Sequence, residues 1–209
     1  ITIGAGAGQM TGADASAYAT AGGDADKITV NGGNLTLTAY NNNDVTALTK
    51  TSGNVTVQAA DGGSITTSKL PTAKVSAIEV PSSVESTMSA DNAVSYLGAS
   101  VTITVNSGAT KLNITGYTTQ NISGITGNAK LAVATADGAN VQISKLAAND
   151  VLSITIAAGE GQLTGTDAAL YAVADSDADK IIVDGGNLTL TAYNNNDVSA
   201  LTKNSGDVT

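Results

Sequence analysis

The chain has 209 residues, 18 of them acidic against nine lysines, and carries a formal charge of −9 with no Arg, His, Cys, Trp or Phe. The missing cysteines exclude disulfides and thiolate metal sites, and an acidic surface without Arg argues against nucleic acid and against a helix held on anionic lipid. No apolar run approaches the ~18 residues that would cross a bilayer, and no initiator Met or signal-peptide pattern stands at Ile1, so the chain reads as mature or as a segment of something longer.

The only aromatics are six Tyr. A core must therefore come from Val, Ile, Leu, Ala and Thr methyl groups, which suit thin regular layers better than one deep globule.

In chain order, the first expected element is a helix over residues 10–19, followed by a strand at KITV from Lys27. The phrase GGNLTLTAYNNNDV then fills residues 32–45. LTLTAY alternates apolar and polar residues, the period-2 signature of a half-buried strand, and Asn41, Asn42 and Asn43 supply a polar corner where Asn tolerates positive φ. DVTAL adds a short second apolar segment. VTVQAA and VSAIEV begin at Val55 and Val75, so with LTLTAY at Leu35 the strand starts fall at an even spacing of about twenty, a usual coil length for a solenoid. This spacing predicts that Leu35, Leu37, Val55, Val57 and Val75 point inward in consecutive coils.

A second helix is expected over residues 88–97 and a strand at VTITV from Val101. A third helix is expected in LTGTDAALYAVADS, with Thr164 as N-cap and Asp167 where a capping box places an acid. KIIV from Lys180 follows it as a strand.

The chain repeats itself. Residues 1–56 match residues 154–209 without a gap at about three-quarters of positions, and the fourteen-residue phrase returns unchanged at 185–198. A diverged copy lies between them: Tyr40, Tyr117 and Tyr193 coincide, as do Asp61 with Asp137 and Lys69 with Lys145. The period is about 76 residues, giving module 1 over 1–77, a diverged module 2 over 78–153 and an incomplete module 3 over 154–209. The third copy stops partway, so the array is expected to continue past Thr209 with residues resembling VQAADGGSITTSKL. The expected fold is mostly β: a repeat β-solenoid of parallel β-helix or leucine-rich-repeat-like coils with one short helix per module. The alternative is a row of tandem small β-sandwich domains.

Chemistry-bearing residues are few. Without His or Cys the commonest catalytic bases and nucleophiles are missing, and the three glutamates, Glu79, Glu85 and Glu160, are scattered. A glycan-active β-helix enzyme is the third-ranked reading, and the chain is expected not to be an enzyme. Asp175, Asp177 and Asp179, with Asp24 and Asp26 in the first copy, are the metal candidates. Carboxylates at alternate positions in a loop can converge on a hard cation such as calcium; the bland reading is a solvated acidic turn. No EF-hand glutamate and no G-G-x-G-x-D nonapeptide accompany them. No other cofactor is indicated. Threonines in LTLT and TITV suggest an ice-binding ladder only if they recur at one site in successive coils, and VTVQ and VSAI break it. Asn34, Asn54, Asn113, Asn121 and Asn187 head N-x-S/T sequons.

The recurring modules, the Thr/Ala/Gly/Asn richness and phrases such as ADKIIVDGGNLTLTAY and SADNAVSYLGASVTITV resemble bacterial surface-layer proteins and giant secreted repeat adhesins. That resemblance implies an extracellular or cell-surface structural segment of a layer, sheath, fibre or stalk. It further implies self-association with neighbouring modules or identical chains. The alternative it implies is an adhesin module whose corner loops bind a glycan or another cell surface.

Overall fold

The computed structural model of the chain describes residues 1–19, 28–108, 111–127, 130–146, 151–172 and 180–209. The alternating segments are strands, and every pairing between them among the described residues is parallel. Parallel neighbours cannot be joined by a tight hairpin; each needs a crossover of a dozen residues or more. The spacing of about twenty seen in the sequence supplies it. Tandem sandwiches built from antiparallel strands do not fit these pairings.

Among the described residues three sheets result. In the first, Thr2–Ile3 and Ala7–Thr11 both lie beside the long strand Thr29–Tyr40, and Thr49–Ala59, Ala77–Val80, Thr102–Val105 and Ile125–Gly127 follow in chain order. The second runs through Gly63–Ser64, Glu85–Ser89, Lys111–Tyr117, Leu131–Thr135, Val151–Ile156, Lys180–Val183 and Thr202–Lys203. The third holds Ala139–Asn140, Gly159–Thr164 and Gly186–Thr191. A strand pairs with a counterpart further along the chain, so like residues stack: Met10 on Leu37 on Val57, and Ile78 on Ile103 on Ile125.

The inward positions form one continuous apolar cluster reaching from Ala15 to Leu188. Leu35, Leu37, Val55 and Val57 are no more than 1% exposed, as the alternation required. Val75 is buried too, at 5%, but not as part of the strand rank. Thr56 lies opposite Ala77 and Val57 opposite Ile78, a step of one more residue than the even spacing. Because side chains alternate with period 2, that extra residue puts Ile78 and Val80 on the core face of the strand. Val75 is instead buried at the corner that follows the short 3-10 turn Thr72–Lys74.

Helices α1 (Gly12–Ala19), α2 (Ala90–Gly98) and α3 (Gly165–Ala172) each start directly where a strand stops, at equivalent places in the three copies. Each has a side-chain cap, the expected one at Thr164 among them. The Thr11 hydroxyl accepts from the Asp14 amide and donates to its carboxylate; Ser89 accepts from the Asn92 amide, and Thr164 from the Asp167 amide. Small residues face inward, with Ala15, Ala90, Ala93 and Ala168 fully buried, so the helices sit close on the strands.

Candidate functional site

The phrase that the chain writes twice is the natural place to look for a site, because its corner gathers the most polar side chains. Leu35 and Leu37 enter the core, and the strand ends at Tyr40, which is fully buried. The Tyr40 hydroxyl donates to the Asn43 carbonyl at 2.8 Å, and burial, aided by the Tyr96 and Asp44 charges, raises it well above the usual phenol range. Tyr96 is raised likewise by burial and donates to the Leu70 carbonyl at 2.7 Å. Burial pushes Tyr117 up to about 12, against an opposing pull from the Gln142 backbone. Tyr40 and Tyr96 are apolar fillers with a tethered polar end, while the Tyr117 hydroxyl is buried with no hydrogen-bond partner among the described residues.

Each corner side chain is engaged within the chain. Asn42 takes positive φ, 50°, to turn the backbone. The Asn43 amide oxygen accepts from the Asn41 amide nitrogen at 3.0 Å. The Asn41 oxygen accepts from the Ser64 amide, and that of Asn42 from the Thr66 hydroxyl, both more than twenty residues further along. Asp44 accepts from the Thr46 amide and hydroxyl and pairs with Lys69 at 3.0 Å. In the third copy Asn196 accepts from the Asn194 amide and Asp197 from the Ser199 amide. In the middle copy Gln120 and Asn121 do the same work with the amides of Thr118, Thr119 and Ser123. The corner satisfies its own polar groups and ties residues 41–44 to residues 64–69.

The glutamates are used in the same way. Glu79 accepts from the Gln58 amide at 3.1 Å, Glu85 pairs with Lys111 at 3.1 Å, and Glu160 accepts from Asn187 at 2.9 Å. Asp61 and Asp137, which coincide between copies, accept from the amides of Glu85 and Glu160. This carboxylate-to-amide tie is the feature the sequence reading missed. The coincidence of the two aspartates was its only signal.

The sequon asparagines Asn34 and Asn54 bond to each other at 3.0 Å, and Asn187 holds both Glu160 and the Asp207 amide. The threonine rank through Thr36 and Thr56 is broken by Ala77. Asp175, Asp177, Asp179, Asp24 and Asp26, the candidate calcium ligands, lie outside the described residues. Among the described residues no group of three His, Cys, Asp or Glu side chains is close enough to hold a metal, and no helix is long and apolar enough to cross a membrane. Compared with protein-family models, curated proteins and solved structures, the chain gives no match.

The Asp44 corner has a pH signature. The hydroxyl and amide of Thr46, then Lys69, hold its carboxyl down to about 2, and Ser199 lowers Asp197 in the same manner. A depressed carboxyl adds stability above its ordinary pKa and loses it as pH falls through the folded value. The melting temperature should therefore decline as pH drops from about 4 toward 2. Asp44→Asn should decline less steeply over that window in thermal melts followed by circular dichroism. An identical acid profile would show that the corner bonds do not depend on the charge.

Proposed function

We propose that the chain is a non-catalytic structural segment wound as a β-solenoid, working in an extracellular or cell-surface array such as a layer, sheath, fibre or stalk. The observation that carries this reading is the in-register stacking of parallel strands, turn upon turn, over one unbroken core. Such a stack shares its backbone hydrogen bonds and its core between neighbouring turns, so a long rod is stable without disulfides or a deep centre. The polar residues fit the same purpose. Asn41, Asn42, Asp61, Asp137 and the three glutamates reach across to the next turn of chain. Repeating a phrase verbatim makes sense when each residue in it is a structural part, since every further turn needs the same parts.

The neighbours expected for such a segment are further modules or identical chains. Purified protein at high concentration should form ordered filaments or sheets under the electron microscope. Dispersed monomers that bind a glycan array would overturn this reading in favour of an adhesin. Release of reducing sugar from polysaccharide would overturn it in favour of an enzyme.

A further inference from the structure

We infer that each copy hands on to the next with a shift of one face, so that the three helices point to three different sides of the rod. This rests on the solenoid reading. Within a copy, first strands stack on first strands and second on second: Thr2 on Thr29 on Thr49, and Gln9 on Thr36 on Thr56. At the junction between copies that order changes. Ala77–Val80, the first strand of the middle copy, lies on residues 56–58, which belong to the second strand of the turn before it. Glu85–Ser89, the second strand, lies on the third, Gly63–Ser64. The next junction repeats the step: Val151–Ile156 lies on Leu131–Thr135, and Gly159–Thr164 on Ala139–Asn140.

The cause is the last turn of each copy, which carries one segment more than the others. After Gly63–Ser64 the chain continues through residues 66–76 before the next copy begins. Ser76 donates its amide to the Val55 carbonyl and accepts from Lys50, so this segment lies along the strand Thr49–Ala59. Helix α2 then rests on it, with Thr67 bonded to Asn92 and the Tyr96 hydroxyl on the Leu70 carbonyl. Helix α1 leads from the second face, where Thr11 lies on Thr38, to the first, where Thr29 lies on Thr2, whereas helix α2 leads from the third, where Ser86 lies on Gly63, to the second, where Thr102 lies on Ala77. The same helix therefore docks one face further round in the second copy.

With three faces to a turn, one copy makes about three and a third turns and three copies about ten, or ~48 Å of axis at ~4.8 Å per turn. A neighbour that grips a helix meets it on a given side only in every third copy. Lateral contacts are thus distributed around the rod and not along one edge.

The chain has no cysteine, so engineered pairs report without background. Stacked parallel residues lie ~4.8 Å apart, within disulfide reach. Thr36→Cys with Thr56→Cys tests the stack inside a copy. Gln58→Cys with Glu79→Cys tests the shifted junction, and Thr51→Cys with Glu79→Cys the unshifted one. Ala132→Cys with Ser153→Cys repeats the shifted test at the second junction, should the first pair impair folding. Under mild oxidation the in-copy pair and the shifted pairs should close, and the Thr51 pair should stay reduced. Closure of the in-copy and Thr51 pairs with the shifted pairs open would overturn the rotation and leave the solenoid standing. An open in-copy pair would overturn the solenoid itself, and the rotation with it.

Discussion

Leu37→Asp is expected to abolish cooperative unfolding, so that urea titration followed by circular dichroism shows a drifting slope in place of a sigmoid. Leu37 is fully buried and sits in the stack between Met10 and Val57. Truncation to Ala alone would remove about 2–5 kcal/mol through lost burial and the cavity left behind. A carboxylate there also loses its hydration, and the side chains stacked on either side are Met and Val, which offer no counter-charge. The sum is comparable to the whole stability of an ordinary domain, about 5–15 kcal/mol. In the solenoid proposed above each turn depends on its nearest neighbours, so one failed turn would uncouple those on either side. Thr36→Asp, one residue away, provides the contrast. Thr36 is on the outer face and only partly buried, and its variant should unfold with a midpoint close to that of the unmodified chain. If both variants unfold alike, the alternation does not set which face is the core.

That pair of neighbours also shows how much could be read from the sequence. Alternation alone placed Leu35, Leu37, Val55 and Val57 inside, because a strand has only two faces and one of them carried all the large apolar groups. Equal spacing then fixed the register of Leu35 on Val55, since any odd slip would turn the apolar rank outward. Val75, the next apolar residue at that spacing, is buried as expected, but the strand there is Ala77–Val80, which sets Ile78 on Val57. Pro71 and the 3-10 turn after it decide how much chain the corner consumes, and corner length leaves no periodic trace in the sequence. The third helix was readable from its cap, Thr164, which accepts from the Asp167 amide three residues on, and the other two from their match to it.

The polar residues were harder to read than the core. A patch such as Asn41–Asp44 looks the same in sequence whether it faces a ligand or the next turn of chain. What separates the two is the position of Ser64 and Thr66, more than twenty residues away, which only the fold supplies. Asp61 and Asp137 gave a clue by coinciding, but not the amides they meet. The acids proposed for calcium fall outside the described residues, so the corner and the coil-to-coil ties, not those acids, support the structural reading.

Gly53→Ala should cost about 2–4 kcal/mol, read as a fall in the urea midpoint at unchanged slope. Two effects combine there. Gly53 has φ of +82°, where a side chain costs ~1–2 kcal/mol. A Cβ would also overlap the Gly33 carbonyl oxygen one turn back, and backbone held by sheet bonds on both sides cannot move away easily. Gly62→Ala separates the two. Its φ is +66°, yet a Cβ there would meet nothing within 4 Å, so only the backbone strain, ~1 kcal/mol, should appear. The excess of Gly53 over Gly62 measures how closely the turns must approach at the corner. Gly206 stands in the same relation to Gly186 in the last copy, with φ of +79°. That recurrence places the requirement in the stacking of parallel strands. Equal losses for Gly53→Ala and Gly62→Ala would mean that the corner gives way to the added methyl, and that close backbone approach is not what keeps the turns in register.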